Sequence, residues 1–230
     1  NLEAGIIPQA YAYTDNQLPI LADLQADSGE IQLSEDIKSL ALSLNFNPLE
    51  ILNYVRGNII YEPYFGAKKG AIGCLREKVC NDSDGSSLLI ALLRASGIPA
   101  RYKKSLIVAS TEQLKSLLGV EETRTVYAAL ALNEVPVFTL SGLSGQSLDT
   151  ADFSGITELA LEWTFVEGFV LYDERGGNVS GQGVNITDST TLPELQALLR
   201  TAPKKQWMGM DGIMKETVHT EREIVFDTAS

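Results

Sequence analysis

EKVCNDSDGSSLLIALLRASGIPARY, residues 77–102, reads as a turn rich in reactive groups that feeds a helix, a glycine stop and the start of a strand. From Asp82 or Asp84 onward, Leu88, Leu89, Ala91, Leu92 and Leu93 form an apolar face too broad for a helix on a surface. That breadth predicts a buried central helix. Ser96-Gly97 closes it, because glycine accepts the left-handed backbone that ends helices. IPARYKKSLIVA, residues 98–109, alternates in character and predicts a strand. The turn itself gathers Cys80, Asp82, Asp84 and two serines at a helix N-terminus. Whether any of them reacts depends on partners elsewhere in the chain.

Upstream, SEDIKSLALSL (34–44) has Ser34 as a cap and apolar residues at helical spacing. NPLEILNYVRGNI (47–59) repeats the logic, with Asn47 capping, Pro48 at the first helical position and Gly57 as the expected stop. IIYEPYFGAKKGAIGCL (59–75) reads as an extended, aromatic, glycine-containing loop of the kind that borders sites. Downstream, TEQLKSLLGV predicts a helix capped by Thr111, TRTVYAALALNE favours helix, and VPVFTL is extended. LEWTFVEGFVLYD (161–173) is a strand rich in aromatic and β-branched residues, and LPELQALLR (192–200) is a helix. KKQWMGMD and TEREIVFDT are strand candidates, and the stretches 141–155 and 174–191 read as polar loops. Residues 1–33 read as a dispensable lead-in segment with one packed turn, and 34–230 as the domain.

The chain has 230 residues, enough for a full core without help from metals or many disulfides. Its 18 basic and 30 acidic residues give a net charge of −12, which repels nucleic acid and anionic membrane surfaces. Neither is an expected partner. No apolar run reaches the roughly 18 residues of a membrane helix, so no membrane insertion is expected. The first residues lack the basic start and apolar centre of a signal peptide, so a secreted form would already have lost its signal. Cys74 and Cys80, the two cysteines, either close a short disulfide loop in an oxidising compartment or remain thiols. Without a Cys-x-x-Cys pair, a His cluster, a phosphate-binding loop or a Gly-x-Ser-x-Gly elbow, no metal or cofactor is expected.

YVRGNIIYEPYFGAKKGAIGCLREKVCNDSDGSSLLIALLRASGIPARY, with WTFVEGFVLYD and QWMGMD downstream, resembles the bacterial transglutaminase-like superfamily, related in fold to papain-like cysteine proteases. The resemblance spans roughly 35–220. It implies an α+β fold, with a buried central helix packed on an antiparallel β-sheet and additional helices. It also implies acyl transfer or amide hydrolysis by a Cys, His, Asp triad. The cysteine of that triad sits at the N-terminus of the central helix, an imidazole on a neighbouring strand takes its proton, and a carboxylate orients the imidazole. Placed without gaps, the cysteine position falls on Asp82, the histidine position on Trp163, and the carboxylate on Asp211. An indole has no basic nitrogen, so the implied triad is degenerate and only its carboxylate survives.

Asp82 reads as an ordinary N-cap, with a pKa lowered by the helix dipole, rather than as a general base. Asp82 and Asp84 as a glycosidase-like carboxylate pair is the weaker reading, since a turn sets their separation and no sugar platform adjoins them. Asp211 is expected to bond nearby backbone or an indole N–H. His219, the sole histidine, lies eight residues past Asp211 and reads as a strand or tail residue. The expected function is therefore a catalytically inactive module, part of a larger extracellular, cell-surface or periplasmic bacterial protein. Its vestigial cleft, lined by Tyr61, Tyr64, Phe65, Asp82, Trp163 and Asp211, would either hold a protein or extended peptide, or another domain of the parent chain, or be plugged by Trp163. The alternative is a divergent transglutaminase or cysteine peptidase using Cys80 as nucleophile. Sequons at Asn178 and Asn185 matter only in a eukaryotic secretory pathway.

Overall fold

The computed structural model describes residues 18–27, 29–139, 151–173, 178–180, 191–201 and 205–214. Its organising element is the helix α4, Asp82–Ala95, whose Leu88, Leu89, Ile90, Leu92 and Leu93 are all fully buried. A side chain removed from water to that extent contributes roughly 1.5–3 kcal/mol, so one helix supplies much of the core. Three earlier helices surround it. α1 (Glu35–Ser43) starts where Ser34 accepts the Ile37 N–H at 3.4 Å, and it buries Ile37 and Ala41. α2 (Pro48–Asn58) starts where Asn47 accepts from Leu49 and Glu50, and it buries Ile51, Leu52 and Val55. Gly57 does not stop α2; the helix runs through it, and Ile59 leaves in extended backbone.

The segment expected to be loop throughout contains a third helix, α3 (Gly70–Glu77). Two glycines disguise it in the sequence, while tertiary contacts hold it. The Ala71 N–H donates to the Glu30 carbonyl at 2.8 Å, and Cys74 is joined to Cys80 by a disulfide. Between these helices, β1 (Ile60–Tyr61) pairs in parallel with β2 (Val79–Cys80), placing the disulfide directly before α4.

The sheet is built around the 16-residue strand β5 (Glu158–Asp173). β3 (Ala100–Ser110) runs antiparallel to it, from Ala100 opposite Gly168 to Ser110 opposite Glu158. β4 (Val137–Thr139) pairs with Leu159–Leu161, β6 (Asn178–Ser180) with Leu171–Asp173, and β7 (Lys205–Met210) with Val166–Leu171. Residues of β5 that pair twice reveal the edges: β3 and β6 share one, β4 and β7 the other. The β6 strand lies inside a stretch expected to be loop. On the second edge, Trp163, Thr164 and Phe165 have no strand partner among the described residues, leaving a gap between β4 and β7.

α5 (Thr111–Leu118) and α6 (Thr123–Leu132) connect β3 to β4, and α7 (Leu192–Thr201) precedes β7. Ser110, rather than Thr111, caps α5 in a reciprocal box with Gln113. The main core surrounds α4, and a second cluster joins Leu24, Phe169, Leu195 and Trp207. Residues 18–33 contribute to both, through Leu18, Leu21 and Leu24 in the second and Ile31 in the first. This is the α+β arrangement of a buried helix on an antiparallel sheet. No helix among the described residues is long and apolar enough to cross a membrane.

Candidate functional site

Three residues can cap α4, and the structure selects Asn81. Its Oδ1 accepts the Asp84 N–H at 2.8 Å, while its Nδ2 donates to the Tyr64 and Gly66 carbonyls, both at 2.8 Å. Asp82 is therefore the first helical residue and not the cap. Its carboxylate turns toward the sheet, where Oδ2 accepts the Thr164 N–H at 2.7 Å. Alternation explains that partner. The Glu162 N–H bonds Pro136 on the β4 side and the Phe169 N–H bonds Pro99 on the β3 side, so the Thr164 N–H faces the gap. Asp82 fills it.

The rest of the first turns of α4 completes the seam. Ser86 Oγ donates to the Thr164 carbonyl at 3.1 Å, and the Ser83 and Thr164 hydroxyls lie 3.1 Å apart. Gly85 allows the close approach: a Cβ there would fall 2.6 Å from Ile213 Cδ1. Burial pushes the Asp82 carboxyl up to about 7, against the lowering effect of the Thr164 N–H, and the nearby Asp211 charge adds to the rise. The expectation of a lowered pKa fails because desolvation outweighs the helix dipole at a carboxyl only 7 % exposed.

One residue before Thr164, Trp163 is 1 % exposed, and its Nε1–H donates to Asp211 Oδ2 at 2.7 Å. Asp211 Oδ1 accepts the Ile213 and Met214 N–H groups, both at 2.9 Å. Burial raises the Asp211 carboxyl, while those three donors and the Arg56 charge oppose the rise. Arg56 is itself buried, donating to the Asp211 carbonyl at 2.7 Å and the Met214 carbonyl at 3.1 Å. Tyr61 packs on Trp163 with ring centroids 5.4 Å apart. Its hydroxyl is buried without a hydrogen-bond partner among the described residues, and its pKa is raised by burial, then by Asp82, Tyr64 and Asp211.

On the opposite side of the same helical turn, Asp84 is fully buried. Its carboxylate accepts the Tyr64 hydroxyl at 2.6 Å, the Lys68 and Lys69 N–H groups at 3.0 Å and the Gly70 N–H at 2.7 Å. That fan of donors anchors residues 64–70 and starts α3. Phe65 stands out at 45 % exposure, away from the buried group.

Of the residues singled out from sequence, the fold therefore brings together Asp82, Trp163, Asp211 and Tyr61. Tyr64 belongs to the Asp84 anchor. Cys80 is fully buried in its disulfide with Cys74 and carries no thiol, so it offers no nucleophile in this state. His219 lies outside the described residues. Sequence reading missed Asn81, Thr164 and Arg56. Asn81 stands three residues before Asp84, which is the cap spacing, whereas nothing local marks Thr164, because its role arises from a sheet gap. Among the described residues, no group of three His, Cys, Asp or Glu is placed to hold a metal. A cavity of about 370 Å³ lies nearby, between Ile59–Tyr61, α5 and the Ile213–Met214 turn.

The chemical capacity of the cluster is narrow. An indole donates a hydrogen bond but accepts no proton, and both carboxyls are closed off from solvent.

Residues 31–137 match the family model of the transglutaminase-like superfamily, a stretch that includes Asp82 and ends before β5 and β7. A comparison with curated proteins gave no match. Among solved structures, a candidate cysteine protease from Cytophaga hutchinsonii aligns at 17% identity and a TM-score of 0.37. The alignment covers 86% of this chain and 49% of that one, so the chain spans about half the length of that protein. The likeness to the transglutaminase-like superfamily thus rests on residues 31–137, the stretch that holds α1 to α6 and the first residue of β4.

Proposed function

We propose that this domain is catalytically inactive and serves as a structural or protein-binding module of a larger bacterial protein. The observation that carries the reading is the buried hydrogen bond from Trp163 Nε1 to Asp211 Oδ2 at 2.7 Å. A carboxylate orients a ring N–H there, as it would orient a catalytic imidazole, but the ring cannot take a proton from a nucleophile. At the nucleophile position a carboxyl is spent on the Thr164 backbone. Function belongs to the site rather than to the fold, and the site lacks thiol and base together. With Trp163, Asp82 and Asp211 all buried, a partner would meet the outer face instead, where Phe65 is exposed beside the anchored 64–70 segment. The Cys74–Cys80 disulfide supports an extracellular, cell-surface or periplasmic location, because reducing compartments keep such thiols apart.

The test is incubation of the purified oxidised domain with a glutamine-containing peptide and a fluorescent primary amine, with amide hydrolysis followed in parallel. The expected result is no turnover above buffer. Turnover that disappears in Cys80→Ala would establish an enzyme instead. For the module, cross-linking mass spectrometry on the parent protein is expected to place contacts at Phe65 and residues 64–70, and contacts confined to other faces would count against that surface.

A further inference from the structure

Asp82 and Asp211 hang on consecutive residues of β5, one on the Thr164 amide and the other on the Trp163 indole. Their surroundings are unequal. Asp211 has three N–H donors and the Arg56 charge to support an ionised carboxylate. Asp82 has one donor from another element's backbone, the Thr164 N–H, with the Thr164 hydroxyl and its own N–H beside it. Of the other titratable groups, Tyr61 from β1 feels the Asp82 charge and has Tyr64 near it, and Asp84 lies two residues along α4. Neither tyrosine is a charge at neutral pH, and Asp84 is fully occupied by the 64–70 segment. Arg56 is a cation that acts on Asp211, and it already serves the Asp211 and Met214 carbonyls. A buried cluster with these partners holds one negative charge comfortably and two poorly.

We propose that Asp82 and Asp211 form a proton-linked carboxyl pair in which Asp82 carries the proton of the closed state, and that loss of this proton releases the first turn of α4 from the gap between β4 and β7. Release frees the Thr164 N–H, admits water to Asp82 and uncovers Trp163 and Tyr61. The device would make the closed form of the domain respond to the pH of its compartment, independently of any catalytic or binding role.

Hydrogen exchange of the Thr164 amide in the oxidised domain tests this, read as a ratio to the Phe169 amide of the same strand, which donates to the Pro99 carbonyl at 2.8 Å. The ratio removes the ordinary acceleration of exchange by base. With a closed-state carboxyl near 7 and an open-state one near 4, linkage gives a rise of about 100-fold in the ratio between pH 5 and 9, most of it complete by pH 7. Asp82→Asn keeps an oxygen for the Thr164 N–H and cannot ionise, so its ratio is expected to stay flat. Asp211→Asn is expected to move the transition to lower pH, because removing the neighbouring negative charge makes Asp82 a stronger acid. A flat wild-type ratio overturns the proposal, as does a transition that persists in Asp82→Asn. An unchanged midpoint in a folded Asp211→Asn overturns the linkage between the two carboxyls.

Discussion

Asp82 and Asp84 lie two residues apart on one helical turn, both buried, and they face opposite supplies of hydrogen bonds. Asp84 meets a segment whose backbone curls around it, so that a tyrosine hydroxyl and three successive amides converge on one carboxylate. Asp82 meets a sheet, and a sheet offers one free amide only where a strand is missing. The same residue type therefore becomes a hydrogen-bonded anchor on one side and a desolvated plug on the other. What distinguishes them is the number of donors their neighbours can present, not their place at a helix N-terminus.

The largest effect should come from the anchor. Asp84→Ala leaves several buried donors without an acceptor, and a loss of about 3–5 kcal/mol is expected in urea unfolding. A loss below about 1 kcal/mol would break the contrast with Asp82. Next, Trp163→Phe removes the indole donor from buried Asp211 and leaves a void, with an expected cost of about 2–3 kcal/mol by the same measurement. Reduction of the Cys74–Cys80 disulfide opens a short loop six residues in separation, worth about 2 kcal/mol in the chain-entropy description. Comparing unfolding midpoints with and without reductant checks it, and an unchanged midpoint would show that the bridge does not hold α3 against α4.

The sign of the pH dependence sharpens the comparison further. Folding raises the Asp82 carboxyl from an unfolded value near 4 to about 7, so between these values the native state binds more protons than the unfolded chain. The contribution of Asp82 to stability is thus most favourable below about pH 4, falls as pH rises toward 7 and is level above. Asp82→Asn should flatten that slope and leave the variant relatively more stable at pH 8 than at pH 5, measured by thermal unfolding at both. Smallest of all, Phe65→Ala on the exposed side of the anchored segment should change stability by no more than about 0.5 kcal/mol.

The central helix was legible because its apolar residues cover every face, and only burial explains that pattern. The long β5 strand was legible from its aromatic and β-branched run. The α3 helix was not, because AKKGAIGCL carries two glycines whose cost is offset by a disulfide and by the Asp84 anchor, neither of which local pattern reveals. The start of α4 was ambiguous for a related reason. Asn81, Asp82 and Asp84 all have side chains able to cap, and the choice among them is made by Tyr64, Gly66 and Thr164, which are distant in sequence. Assigning the cap to Asp82 also reversed the direction of its pKa, since a cap is solvated and a plug is not. The proximity of Asp82, Trp163 and Asp211 followed from the family resemblance, whereas the Tyr61 hydroxyl beside them, without a hydrogen-bond partner among the described residues, had no sequence signal at all.

The most direct measurement is a carbon-13 NMR titration of the Asp82 side-chain carboxyl in the folded, oxidised domain, assigned by comparison with Asp82→Asn. A midpoint near 7 is the result expected of a carboxyl sealed into the gap of the sheet. A midpoint at or below about 4 would mean that Asp82 is solvated or acts as a cap, and would contradict the closed site on which the account rests.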